Sequence, residues 1–135
     1  MYFKTLVVIL TAFLFSSCTP NAELADKYFQ EGLDNFQYHD YKVAILKFKK
    51  SLEYNPSSFE AHYHIGNCYI NLRNYNSAVD EFTKAIEVKN NYADAYANRG
   101  QAYFYLHEKS KSCADFKKAN ELGKPNMEDR LRHCD

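Results

Sequence analysis

Tryptophan is absent from the 135 residues, and glycine (4), proline (3) and methionine (2) are scarce. So few chain-bending residues argue against a loop-rich or all-β protein, whose turns draw on glycine and proline. No charge of one sign predominates, since 17 Lys and Arg stand against 17 Asp and Glu. That balance gives no electrostatic reason to expect nucleic acid or an anionic surface as partner. The long apolar run, Leu6 to Phe15, would span about 15 Å as a helix, roughly half the hydrocarbon thickness of a bilayer. It is short for a transmembrane anchor. Also missing are a Gly-rich phosphate loop, a nucleophile elbow and a carboxylate pair outside the repeated faces described below. No enzyme activity, cofactor or small-molecule substrate is therefore expected. The five histidines are scattered. His62 and His64 would lie about 200° apart around a helix, and only His64 and Cys68, at i and i+4, have a spacing that a metal could use. We read that pair as a groove-side His beside a core Cys, with no metal. What the chain has in plenty is Tyr (12) and Phe (10), the composition of one helical domain with bulky packing residues.

The first 17 residues read as an export signal: Lys4 is a small positive n-region, Leu6 to Phe15 an apolar core, and Ser16-Ser17 the small residues before a cleavage point. "FSSC", Phe15 to Cys18, resembles the lipobox of bacterial lipoproteins, with Phe15 at the place where Leu is commoner. The resemblance implies that Cys18 is the lipid attachment point and the mature N-terminus, followed by a tether over 18–24 that reaches at most about 20 Å when extended. Acylation by more than one chain makes such anchoring stable. Thr19 is not the acidic residue that holds some lipoproteins at the inner membrane, so the resemblance favours the outer membrane, facing the periplasm, within a bacterial cell envelope. The alternatives are an ordinary secretory signal with Cys18 kept in the mature chain, or a short membrane-embedded helix.

Glycine exposes a repeat. Gly32, Gly66 and Gly100 are 34 residues apart, and the windows 25–58, 59–92 and 93–126 agree column by column. Four residues before each glycine stands a large ring (Tyr28, His62, Tyr96), and sixteen after it always Phe (Phe48, Phe82, Phe116). Small residues occupy two further columns, Ala44, Ala78 and Ser112, then Ser51, Ala85 and Ala119. Small residues at fixed points let two antiparallel helices approach, and rings fill the gaps to the next pair. A mid-helix glycine costs about 1 kcal/mol relative to Ala, so its recurrence in one phase predicts close helix contact.

This pattern, above all "YHIGNCY" and "SAVDEFTKAIEV" in the second window, resembles the tetratricopeptide repeat, a 34-residue helical hairpin. The resemblance implies an all-α chain: an α-solenoid of three hairpins over 25–58, 59–92 and 93–126, then a short C-terminal capping helix over 127–135. Asn35 and Lys109 depart from tyrosine columns, and only the first window ends in the expected proline, Pro56. In the cap, Asn126 is a plausible N-cap, Glu128 and Asp129 suit the first turn, and Met127, Leu131 and Cys134 share an apolar face.

The resemblance also implies a binding protein whose first helices line a concave face, here with Asp26, Phe29, Leu33, Phe36 and Gln37, then Glu60, Tyr63, Asn67, Ile70 and Asn71, then Asp94, Ala97, Gln101, Phe104 and Tyr105. Of these we single out Phe29, Leu33, Tyr63, Asn67, Asn71, Gln101, Phe104 and Tyr105 as the peptide groove, with Phe104 expected to face Tyr63 and Asn67. The basic clamp of the chaperone-tail binders is missing, because its places hold Phe29, Leu33, His64, Asp94 and Asn98. A groove of rings and amides suits an extended peptide or a partner's helix. Two function classes follow: a membrane-tethered adaptor for a peptide segment of an envelope protein, or a fixed structural subunit of a larger assembly. Export exposes the remaining thiols to oxidation. Three cysteines allow three pairings; Cys113 on the last hairpin and Cys134 on the cap are expected to join, leaving Cys68 a buried small hydrophobe.

Overall fold

The computed structural model of the chain describes residues 20–134. Residues 1–19, with the export signal and Cys18, lie outside the described residues. Helices α1 (Pro20–Gln37), α2 (Tyr41–Tyr54), α3 (Phe59–Asn71), α4 (Tyr75–Val88), α5 (Ala93–Tyr105) and α6 (Lys109–Glu121) pair as three successive hairpins, and α7 (Glu128–Leu131) runs into a 3-10 turn, Arg132–Cys134. The described residues contain no strand. The architecture of the described residues is an all-α solenoid of helical hairpins, as the repeat pattern predicts.

The glycine phase has a direct steric cause. A Cβ added at Gly32 would lie 2.6 Å from the Phe48 ring, one at Gly66 2.6 Å from Phe82, and one at Gly100 2.8 Å from Phe116. Each phenylalanine therefore lies flat against a bare helix backbone. Phe48 and Phe82 are fully buried and Phe116 nearly so. Where a hydroxyl replaces alanine in the small columns, a carbonyl accepts its proton: Ser51 Oγ donates to Ala25 O at 2.7 Å, and Ser112 Oγ to Gly100 O at 2.8 Å. A buried hydroxyl paired in this way adds no desolvation penalty.

Inside each hairpin the turn is built identically and without glycine. His39, Arg73 and His107 take the left-handed conformation, with φ of 63°, 57° and 59°. In the second hairpin Arg73 N–H donates to Ile70 O and Asn74 N–H to Tyr69 O, the paired bonds of a Schellman ending. In the first two hairpins the next helix is then capped by a side chain: Asp40 accepts from Val43 N and Asn74 from Ser77 N.

Two sequence expectations need correction. Residues 20–24, expected as part of an extended tether, are the first turns of α1. Proline is suited to a first helical position because it has no N–H to satisfy, and Glu23 falls in the first turn where the helix dipole favours a carboxylate. Nor is Asn126 an N-cap. It has φ of 59°, and Met127 caps α7 without a side-chain hydrogen bond. Met127 is buried with Phe116, Ala97 and Ala119, while Leu131 and Cys134 pack on that cluster. Cys113 and Cys134 are joined by a disulfide with a Cα–Cα distance of 5.4 Å, which ties the cap to α6. Cys68 is free and buried; burial pushes its thiol up to about 12.

Candidate functional site

The first helices α1, α3 and α5 carry every residue singled out for the groove, and these fall into three groups. Phe29 and Leu33 pack on the buried cluster of Ala44, Ile45, Phe48, Ile65 and Cys68, so most of their contact is internal. Tyr63 packs on two clusters at once, against Phe82 and against Ala85, Ile86 and Ala95. Its hydroxyl accepts from Asn98 Nδ2 at 3.2 Å, and the same amide donates to Asn67 Oδ1 at 2.7 Å. The side chain that meets Tyr63 and Asn67 from the next repeat is therefore Asn98, not Phe104. Asn71 is exposed and donates to Asn67 O at 2.9 Å.

Gln101, Phe104 and Tyr105 form the third group. They line a recess of about 660 Å³ together with Tyr75, His107, Lys109, Phe116, Arg130, His133 and the Cys113–Cys134 bridge. Phe104 is 51% exposed and Tyr105 45%, unusual values for rings this large. Tyr75 stacks on Tyr105 with ring centroids 4.6 Å apart.

His64 stands at one of the places where chaperone-tail binders have a clamp residue, yet it is enclosed. The rings of Phe29, Phe36, Phe48 and Tyr63 surround it with centroids 5.4 to 6.1 Å away. Its Nδ1 is buried without a hydrogen-bond partner among the described residues. Burial lowers its pKa, opposed by the charge of Glu60. Among the described residues no three His, Cys, Asp or Glu side chains gather as a metal site.

Charged pairs run along the repeats away from these rings. Arg99 makes a two-pronged pair with Asp115, both bonds 2.8 Å, and also donates to Thr83 Oγ1 at 3.0 Å. The hydrogen bonds it donates to Asp115 hold the guanidinium pKa up against its burial. One repeat earlier Glu81 takes His62 Nδ1 and Lys84 Nζ, each at 2.7 Å. Burial pushes the Glu81 carboxyl up, but the two partners together hold it below its usual value. Lys124 and Asp94 pair as well. The Arg99–Asp115 and His62–Glu81 pairs each join the two helices of a hairpin.

Sequence reasoning missed Asn98 as the cross-repeat partner and Tyr75, Lys109, Arg130 and His133 as recess walls. A signal was present at Lys109, the residue that breaks a tyrosine column: Tyr41 packs edge-on to Phe36 at 5.4 Å, whereas Phe104, in the column of Phe36, has a lysine in that place.

Comparison with known proteins agrees with this geometry. Residues 59–92 and 93–122 match the tetratricopeptide repeat family. Among solved structures, the first tetratricopeptide domain of Spaghetti (RPAP3) bound to the HSP90 peptide SRMEEVD superposes with a TM-score of 0.79 at 23% identity, covering 83% of this chain and 90% of that one. The Arabidopsis OM64 tetratricopeptide domain gives 0.78 at 22% identity, covering 83% and 97%. The second such domain of human RPAP3, in complex with the HSP70 peptide SGPTIEEVD, gives 0.79 at 21% identity, covering 84% and 97%. At these identities the likeness shows the fold. No curated protein matches the sequence. The family match covers the second and third hairpins, and the likeness to solved domains shows the fold.

Proposed function

We propose that this chain is a lipid-anchored adaptor of the bacterial cell envelope that holds a peptide segment of a partner protein on the concave face of its three hairpins. Cys18 carries the lipid and the protein sits on the outer membrane facing the periplasm, a reading that rests on the "FSSC" motif and the apolar run before it. The observation that carries the binding reading is the exposure of Phe104 and Tyr105 beside the amide of Gln101 on α5, with the exposed amide of Asn71 on α3, the preceding first helix. Rings add contact area with little rotamer entropy lost, and amides donate and accept to a peptide backbone. Solved domains of the same fold are bound to peptides, which supports a peptide ligand of some kind here.

The test is crosslinking in intact cells with the anchor in place. Tyr63→Phe with Asn67→Ala keeps the packed ring and removes the polar contacts; it should abolish capture of the partner, whereas Glu87→Ala with Val88→Ala, on the exposed end of α4, should not. Cys18→Ala should leave a folded protein that incorporates no labelled fatty acid. The competing reading, a fixed subunit of an assembly, is favoured by Leu46, 66% exposed on α2, and Tyr38, 81% exposed at the first turn. If Leu46→Ala with Tyr38→Ala blocks capture and the groove variant does not, the subunit reading replaces the adaptor.

A further inference from the structure

The repeats themselves show what the recess beside Phe104 lacks. Phe36 and Phe104 occupy the same column of the first and third windows. Around Phe36 two rings close the space: Tyr41 from the same hairpin at 5.4 Å, and His64 from the first helix of the next hairpin at 6.1 Å, edge-on at 71°. Around Phe104 neither has a counterpart. Lys109 stands in the column of Tyr41, and the element that follows α6 is α7, a single turn, in place of a full first helix. The missing group is thus a ring delivered from outside the hairpin.

Charge narrows the choice further. Lys109 and Arg130 both line the recess. The Arg130 guanidinium lies over the Phe116 ring, 5.2 Å from its centroid, and its buried Nη1 has no hydrogen-bond partner among the described residues. The carboxylate in the wall, Asp129, is paired with Arg132 at 3.2 Å. A cationic wall beside bare rings is complementary to an aromatic group with carboxylates next to it. At about 660 Å³ the recess is in the range of sites that enclose one ligand group of this size.

We propose that the recess formed by Phe104, Tyr105, Tyr75, Lys109 and Arg130 is a docking site for an aromatic side chain flanked by acidic residues, carried on a peptide segment of a partner protein. The ring seats against Phe104 and Tyr105, in the role that His64 has for Phe36, and the flanking carboxylates meet Arg130 and Lys109. This inference rests on the peptide-binding reading above and assigns its apolar anchor to the last hairpin rather than to the middle of the groove.

Three acetylated, amidated peptides test it on the full chain in detergent: AEFEA, AKFKA and AEAEA, with binding and its location followed by NMR. AEFEA should bind at least about tenfold more tightly than either other peptide, with shifts at Phe104, Tyr105 and the Arg130 side chain. Phe104→Ala and Lys109→Gln, both at exposed positions, should each weaken AEFEA roughly fivefold with helicity unchanged. Equal binding of AKFKA, or no binding of AEFEA, overturns the proposal. Shifts centred on Asn67 and Asn71 overturn it while leaving the groove reading intact. Self-association that Phe104→Ala abolishes also overturns it, by giving the recess to a second copy of the chain.

Discussion

Replacing His64 by Phe should stabilise the protein, and more so in acid. Its Nδ1 is buried without a partner among the described residues, a situation that costs about 1–3 kcal/mol. Four rings already surround it, and the Phe48 ring is stacked on it at 5.4 Å and 18°. A phenyl ring removes the orphan nitrogen and keeps the stacking, while its extra volume gives back part of the gain as crowding. The expected net is about 1 kcal/mol at pH 7.5, a rise in Tm of about 4 °C for a domain of this size. The pH dependence has a definite sign. Burial lowers the pKa of His64 from 6.5, opposed by Glu60. As pH falls below 6.5 the unfolded chain takes up a proton there that the folded chain refuses. Wild-type stability therefore declines until the folded pKa is passed, and phenylalanine has no such decline. The other histidines are common to both proteins, so their contribution cancels in the difference. Urea unfolding followed by far-UV circular dichroism at pH 7.5 and 5.5 measures both effects. A variant less stable at pH 7.5, or one whose advantage is the same at pH 5.5, refutes the reasoning.

Three further substitutions or treatments follow from the packing. Gly66→Ala places a methyl 2.6 Å from the Phe82 ring; crowding of about 1–3 kcal/mol outweighs the helix-propensity gain of about 1 kcal/mol, so the urea midpoint should fall, and a rise would contradict the close-approach account. Reducing Cys113–Cys134, which are 21 residues apart in sequence, should lower stability by about 3 kcal/mol and speed amide exchange first in residues 124–134; uniform acceleration along the chain would mean the bridge does not serve the cap alone. Asp115→Ala leaves Arg99, whose side chain is 17% exposed, without its carboxylate and should cost about 3–5 kcal/mol. Adding Arg99→Leu should recover most of that, because Ile65 fills the same column one repeat earlier; a double mutant no better than the single would show that the charge was not the cause.

The hairpins were legible in the sequence because their interface is printed three times. A glycine that must be bare and a phenylalanine that lies on it recur at fixed separation, and no other residues satisfy a 2.6 to 2.8 Å approach. The ends were less legible, since nothing there repeats. Pro20 and Glu23 are helix-start signals, but they lie ahead of the first repeated column, where the lipobox resemblance implies a tether. Asn126 has the chemistry of an N-cap and also that of a residue tolerant of positive φ; the backbone leaving Gly123, with φ of 85°, uses the second property. Tyr63 shows the limit at the candidate site. Its column predicts a concave position, and only the fold reveals that Phe82, Tyr92 and Asn98 already claim its ring and hydroxyl.

Residues of one column thus differ in what they are free to do, and the difference lies in their neighbours rather than in themselves. Phe36 is a packing residue because His64 and Tyr41 cover it. Phe104 has the same side chain at the same register and is half exposed, because Lys109 replaces the tyrosine and a one-turn helix replaces the next first helix. The disulfide then holds that short element against α6, so the space is kept open by a covalent tie instead of being filled by further packing. In a solenoid each hairpin covers only its neighbours. The last one therefore leaves apolar surface beyond its own packing, and here Met127, at the start of α7, covers Phe116 while Phe104 and Tyr105 stay about half exposed.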